Sequence, residues 1–389
     1  MAGDPAADAG RMSTSGTAPR TTSPLRQLGP NWYAAVMGTA IVASAGAALP
    51  VRPPGLRGAC EAVWALSAVA LAVLLVARAV HWARHPDQAR RHLGDPAVAP
   101  FYGCAAMALL AVGGATLSVG SAVIGTGAAV AADAVLWTAG TVTGLAAAAG
   151  IPYLMVTRHR IEPGQASPVW LLPVVAPMVS AALGPALVPH LPSGQWQAAM
   201  VLACYALFGM SLLATLLILP AVFARLIHHG PLPLALTPAL FLVLGPLGQS
   251  TTAVGNLADA AQGALPAPYA HAAAPFAVLY GTPVMGFALL WLVLAAAMVL
   301  RAFRQGMGFA MTWWAFTFPI GTCVTGAAAL SRHTGLHALT WLSVGLYALL
   351  VTAWAVAAAR TAHGLVSGRL LAAPRPAPQP LPAVRVRTT

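Results

Sequence analysis

The sequence predicts an all-α membrane protein of ten transmembrane helices, arranged as five hairpins around a central pore with the odd-numbered helices inside. Three observations lead there. Ten apolar stretches are each long enough to cross a bilayer, which takes about 20 residues of helix. The composition is 59% hydrophobic and 7% charged, with a mean hydropathy of +0.76. Arginine, finally, crowds into every second gap between the stretches. A chain of 389 residues with this composition does not stay soluble as a single globular domain.

The first 29 residues are rich in Ala, Gly, Pro, Ser and Thr and contain no apolar run. They read as a disordered cytoplasmic tail, not a cleaved signal peptide. The ten spans then fall at roughly 31–49, 59–80, 101–119, 130–153, 168–189, 198–222, 234–257, 275–300, 307–329 and 336–359, within one domain over 30–363. A second cytoplasmic tail, 364–389, contains Pro and Arg and stays extended.

The odd spans carry backbone breakers deep inside: Gly38 and Gly46, then Gly113 and Gly114, Pro173 and Pro177, Gly245, Pro246 and Gly248, and Pro319 with Gly321. The even spans are smoother, although Gly140, Gly144 and Pro152 interrupt the fourth. Broken backbone at membrane depth is tolerated only where protein buries it or a wet cavity adjoins it, so the odd spans are expected inside. Gly140 and Gly144 have the spacing of a helix-packing pair.

All twenty basic residues are arginine. Arg11, Arg20 and Arg26 precede the first span; Arg78, Arg84, Arg90 and Arg91 follow the second; Arg158 and Arg160 follow the fourth; Arg225 follows the sixth; Arg301 and Arg304 follow the eighth; Arg360, Arg369, Arg375, Arg385 and Arg387 follow the tenth. The opposite gaps hold only Arg52, Arg57 and Arg332. The positive-inside rule then puts both termini in the cytoplasm of a multi-pass protein of the plasma (inner) membrane. The net charge of +12 is thus a topology signal, and nucleic acid is not an expected partner; membrane lipid is.

Soluble-enzyme chemistry has no foothold, since a chain without lysine has neither a Walker A loop nor a Schiff-base amine, and HExxH, GxSxG and GxGxxG are absent. Cys60, Cys104, Cys204 and Cys323 are scattered singly, so neither a zinc site nor a disulfide framework is expected, and no cofactor. The acidic residues of the membrane region, Glu61, Asp133 and Asp259, lie at outer span ends, and no histidine falls in mid-span. Proton-driven carriers bury such groups at the relay point, so a neutral path favours a channel or facilitator. Pore-lining residues are expected where hydroxyl, amide or free backbone donors stand beside a break: Gly38 and Thr39, Pro177 and Ser180, Gly245, Gln249 and Ser250, and Thr317. Trp313 and Trp314 stand where interfacial anchors would.

Two segments carry a family likeness: Gly29-Pro30-Asn31-Trp32-Tyr33-Ala34-Ala35-Val36-Met37-Gly38-Thr39-Ala40-Ile41-Val42, and Trp313-Trp314-Ala315-Phe316-Thr317-Phe318-Pro319-Ile320-Gly321-Thr322. Both resemble the tellurite-resistance/dicarboxylate transporter family, which includes TehA-like proteins, malate permeases, sulfite exporters and slow anion channels. The likeness extends to 172–179 and 245–250 and so spans the membrane region. It implies ten helices in five hairpins, a homotrimer with one pore per subunit, and a phenylalanine in the ninth helix that occludes the pore. Phe318 matches that gate, with Phe316 the second candidate. The implied solute is a small anion, C4-dicarboxylates such as malate leading. Alternatives are sulfite or tellurite export on the same fold, or a non-transporting membrane scaffold or sensor. The long phosphorylatable termini of the plant channels are missing, so kinase gating is not implied.

Overall fold

The computed structural model describes Arg26, residues 28–368 and Leu370. Most of the two expected tails lies outside the described residues. Twelve α-helices follow in order: α1 Tyr33–Ala48, α2 Leu56–Arg84, α3 Pro86–Gly94, α4 Tyr102–Ala115, α5 Ser121–Ile124, α6 Thr126–Thr157, α7 Leu171–Leu183, α8 Gln195–His229, α9 Leu244–Ala264, α10 Ala267–Arg304, α11 Phe318–Thr334 and α12 His337–Val366. A π turn over Thr116–Gly120 joins α4 to α5 in one continuous span. Among the described residues there is no strand, and nine helices are long and apolar enough to cross a membrane. The first segment, Pro30–Trp32 followed by α1, is not among the nine.

The spans divide into two classes. In those built on α4, α7, α9 and α11, 67, 89, 78 and 94% of the apolar window is buried, against 28, 28, 33, 28 and 22% for α2, α6, α8, α10 and α12. Helix α1 belongs with the buried class, since twelve of its sixteen residues are inaccessible. The alternation expected from glycine and proline content is therefore the alternation of burial. Neighbouring inner helices touch, α1 to α4, α4 to α7, α7 to α9 and α9 to α11, and α11 returns to α1 to close a ring of five. Each inner helix also packs against the outer helix that follows it. Short connections make successive spans alternate in direction, so the five inner helices run parallel.

The inner helices share a second property. Each is preceded by a 3₁₀ turn, at Pro30–Trp32, Ala99–Phe101, Pro168–Trp170, Leu234–Val243 and Met311–Phe316. Proline supplies the reason in most of them: Pro30, Pro100 and Pro168 sit in the first turn, where a fixed φ and a missing N–H cost nothing. Before α11 the agent is Pro319, which has no N–H for the Ala315 carbonyl and whose ring clashes with it, so helix cannot run continuously through 315–319. The chain is therefore broken at Thr317, with φ −94° and ψ −77°, and Phe318 opens the next helix.

Small residues let the ring close tightly. A Cβ on Gly248 would lie 2.5 Å from the Cys323 amide nitrogen, so α9 and α11 meet backbone to backbone. That approach brings Thr322 Oγ1 within 3.3 Å of the carbonyl oxygens of both Leu244 and Gly245. Gly140 packs on Leu110, and Gly144 on Ala176 and Ala106, so this pair joins α6 to the ring as expected.

Three details depart from the sequence reading. Trp313 and Trp314 are not exposed anchors: they are 8% and 3% accessible. Trp314 Nε1 donates to Thr361 Oγ1 at 3.0 Å, and Trp313 sits among Phe303, Phe309 and Phe316. Asp133 is not at a solvated end but about two turns into α6. It is 1% exposed, and neither carboxylate oxygen has a hydrogen-bond partner among the described residues. It faces Gly113, where a Cβ would come 2.6 Å from Oδ1. Third, the loop after the second span contains α3, too short and polar to stand out in the sequence, which packs through Ala89 beneath Tyr102.

Candidate functional site

Within the ring lies a cavity of about 230 Å³, walled by all five inner spans. Each contributes a stripe with the spacing of one helical face: Ile41, Ser44 and Ala48 from α1; Ala111, Gly114 and Ser118 from the α4 span; Val179, Ala182 and Ala186 from the α7 span; Gln249, Thr252 and Asn256 from α9; Phe318, Thr325 and Arg332 from α11. Successive members are three, four or seven residues apart, which puts them on one side of a helix. Because the five helices are parallel, the stripes rise together and the wall has levels.

The lowest level is lined by apolar side chains, Ile41, Ala111, Val179 and Phe318, with Gln249 beside them. Phe318 is 3% exposed, and its position follows directly from the Pro319 break. Gln249 is also 3% exposed, and its Oε1 has no hydrogen-bond partner among the described residues. A buried primary amide with unused capacity beside this apolar level is a ready ligand for a solute or water.

The middle level is polar but uncharged. Thr252 Oγ1 and Thr325 Oγ1 are 2.7 Å apart across α9 and α11, with Ser44 opposite. Higher up, Ser118 belongs to the π turn, which rotates it relative to an unbroken α-helix; such turns recur at functional sites. At the top, Asn256 Nδ2 donates to the Ala182 carbonyl at 2.8 Å and its Oδ1 accepts from Arg332 Nη2 at 3.3 Å. Arg332 is the one formally charged residue in the wall. About 230 Å³ holds several waters at roughly 30 Å³ each, or one small partly hydrated ion.

Of the residues expected to line a pore, Phe318 and Gln249 meet in this cavity; the others are not part of its wall. Thr39 donates to the Ala35 carbonyl and accepts from Trp354 Nε1 at 3.1 Å, facing α12. Ser180 accepts from Thr141 at 2.9 Å, facing α6. Ser250 donates to the Leu247 carbonyl, and Thr317 to the Trp314 carbonyl. Pro177 is buried within α7. Gly38 is packed against Thr317 and Trp314, whereas Gly245 has open space where its Cβ would be. Phe316 turns to the outside of the ring, edge-on to Phe241 at 4.9 Å. Thr252, Asn256, Thr325 and Arg332 are wall residues that polarity beside a break does not single out. The i, i+3, i+7 spacing of Gln249, Thr252 and Asn256 was the legible signal for two of them.

The geometry can be set beside known proteins. A family model described as voltage-dependent anion channel matches residues 27–362. An uncharacterised transporter of Methanocaldococcus jannaschii is 27% identical over 342 residues, which covers 88% of this chain and 94% of its own length. A second from the same organism is 26% identical over 341 residues, 87% of this chain and 95% of that one. The sulfite efflux pump SSU1 of Arthroderma otae is 27% identical over 311 residues, 78% of this chain and 82% of the pump.

Proposed function

The chain belongs to the voltage-dependent anion channel family, and from that premise we propose that small anions cross the membrane along the axis of the five-helix ring, through a passage that the Phe318 ring occludes. The protein is a multi-pass anion transporter or channel and not an enzyme. The observation that carries the reading is the cavity itself, hydroxyl-bearing and uncharged through its middle, with the buried Phe318 ring among the apolar side chains at one end. A narrow apolar constriction stops ions by excluding water, and a change of one rotamer rewets it.

The solute is a small oxyanion. Sulfite comes first, because relatives that match most of the chain are named sulfite efflux pumps; C4-dicarboxylates such as malate come second, on the sequence motifs alone. The arginine bias supports a plasma-membrane protein with both termini cytoplasmic and with the Arg332 end of the cavity outside. The pairing of each inner helix with the outer helix after it supports ten spans in five hairpins. A homotrimer with one pore per subunit rests on the family resemblance.

The test is flux of sulfite, malate, nitrate and chloride through liposomes containing the purified protein, wild type against Phe318→Ala. Flux rising in the variant, in an order that names the solute, is the expected result. Unchanged flux in well-folded Phe318→Ala would make the ring a packing residue, and absence of flux in both proteins would favour a non-transporting scaffold.

A further inference from the structure

The arginine-poor side of the membrane carries few basic residues, which makes each one there call for a reason other than topology. Arg57 has one: it pairs with Glu61 at 3.0 Å on the same helix. Arg332 does not. Its guanidinium hydrogen-bonds a neutral amide, Asn256 Oδ1, at 3.3 Å, while the nearest carboxylate oxygen, Asp259 Oδ2, is 3.7 Å away on a side chain that is 55% exposed. An ion pair that long and that wet contributes little. Asp259 is also shared, since His333 Nε2 lies 3.4 Å from its other oxygen. The Arg332 side chain is 43% exposed, and its guanidinium offers five N–H donors in a planar fork, of which one is committed to Asn256.

The amide in turn is fixed. Asn256 Nδ2 is held by the Ala182 carbonyl at 2.8 Å, so α7 and α9 together set where Arg332 stands. The head group is thereby kept in the wall of the same cavity that ends at Phe318, with no other formal charge along it.

Resting on the anion-passage reading above, we propose that Arg332 is the anion-capture residue of the outer mouth: it takes a small oxyanion through its free N–H groups, Asn256 positions it, and Asp259 limits its strength. A planar guanidinium matches two oxygens of an oxyanion at once. Losing that contact costs a charge-assisted hydrogen bond, which raises the half-saturating concentration about tenfold. Removing the competing carboxylate acts in the opposite direction.

The experiment separates capture from passage. Sulfite binding to the purified full-length protein is measured by the shift in melting temperature with sulfite concentration, for wild type, Arg332→Gln, Arg332→Lys and Asp259→Asn, with Arg57→Gln as the control for loss of one charge on that side. Flux is measured separately in the Phe318→Ala background. Half-saturation should rise about tenfold in Arg332→Gln, less in Arg332→Lys, fall in Asp259→Asn and stay put in Arg57→Gln. The same rank order should appear in flux. Binding that weakens in Arg332→Gln without flux in any Phe318→Ala protein supports the capture site and overturns the passage. Binding equal in wild type and folded Arg332→Gln overturns the capture site, whatever the flux.

Discussion

Gly38 of α1 lies directly against the hydroxyl of Thr317, and Trp314 closes the same gap, so no methyl group fits between α1 and the break before Phe318. This contact fixes the segment from which the Phe318 ring projects. Overpacking a closed core by one methyl costs about 1–3 kcal/mol. Gly38→Ala should lower the melting temperature in detergent accordingly and, by displacing the break, raise the basal anion leak of liposomes. A variant as stable and as tight as wild type would show that the Thr317 segment yields freely.

Gln249 is the one amide among the side chains beside Phe318 in the cavity wall, and its oxygen has no hydrogen-bond partner among the described residues. In the Phe318→Ala background, Gln249→Leu should cut anion flux about fivefold, the worth of one hydrogen bond near 1 kcal/mol. Thr39→Val should leave flux unchanged, because the Thr39 hydroxyl faces Trp354 and not the axis. Equal effects of the two substitutions would point to general disturbance of the ring.

Asp133 is buried without a hydrogen-bond partner among the described residues. An orphaned polar group of this kind costs about 1–3 kcal/mol, and the carboxylate more if charged. Asp133→Ala should therefore raise the melting temperature. A fall would mean that Asp133 has a partner in the membrane-embedded protein, another subunit being the first to look for.

Outside the membrane, α3 is held to the end of α2 by aromatic stacking: the rings of His81 and His92 are 5.6 Å apart and within 4° of parallel. Burial, then the nearby Arg78 and His81 charges, push His92 below the usual histidine range, with Asp95 opposing. His92 is thus neutral in the docked state, while the undocked histidine takes up a proton first as pH falls. Docking is complete above the ordinary histidine pKa and weakens as pH drops through the lowered one. Hydrogen exchange of residues 86–94, corrected for intrinsic rate, should lose protection between about pH 7.5 and about pH 5. His92→Gln should flatten that dependence; equal protection at both ends would sink the idea.

The fold was legible in the sequence because the bilayer imposes a length on apolar runs and a side on arginine, and because breakers accumulate where backbone is buried. The resemblance pointed to Phe318 and polarity beside a break to Gln249, and both line the cavity. Polarity beside a break also pointed to Thr39, Ser180, Ser250 and Thr317, whose hydroxyls do not line it, for one physical reason. A hydroxyl in a membrane helix satisfies itself on a carbonyl of its own preceding turn, as Thr39, Ser250 and Thr317 do, so its polarity does not report which way it faces. Ala111, Gly114, Ala182 and Ala186 line the cavity but look like packing residues in any list of letters. Asn256 and Arg332 stood at span ends, where polar residues are ordinary. Only the register they share with Gln249 and Phe318 marks them.

The parallel course of the five inner helices has an electrical consequence. Peptide dipoles that point one way add, leaving the equivalent of about half a negative charge at each carbonyl end, and all five carbonyl ends surround the mouth where Arg332 stands. The outer helices run in opposition but about 10 Å farther from the axis, too far to cancel the field along it. The passage is lopsided before any side chain is counted. An anion arriving at the carbonyl ends climbs a hill that Arg332 lowers, and beyond Phe318 it runs down toward five amide ends. With equal anion on both sides, the current–voltage curve of the open passage should bend.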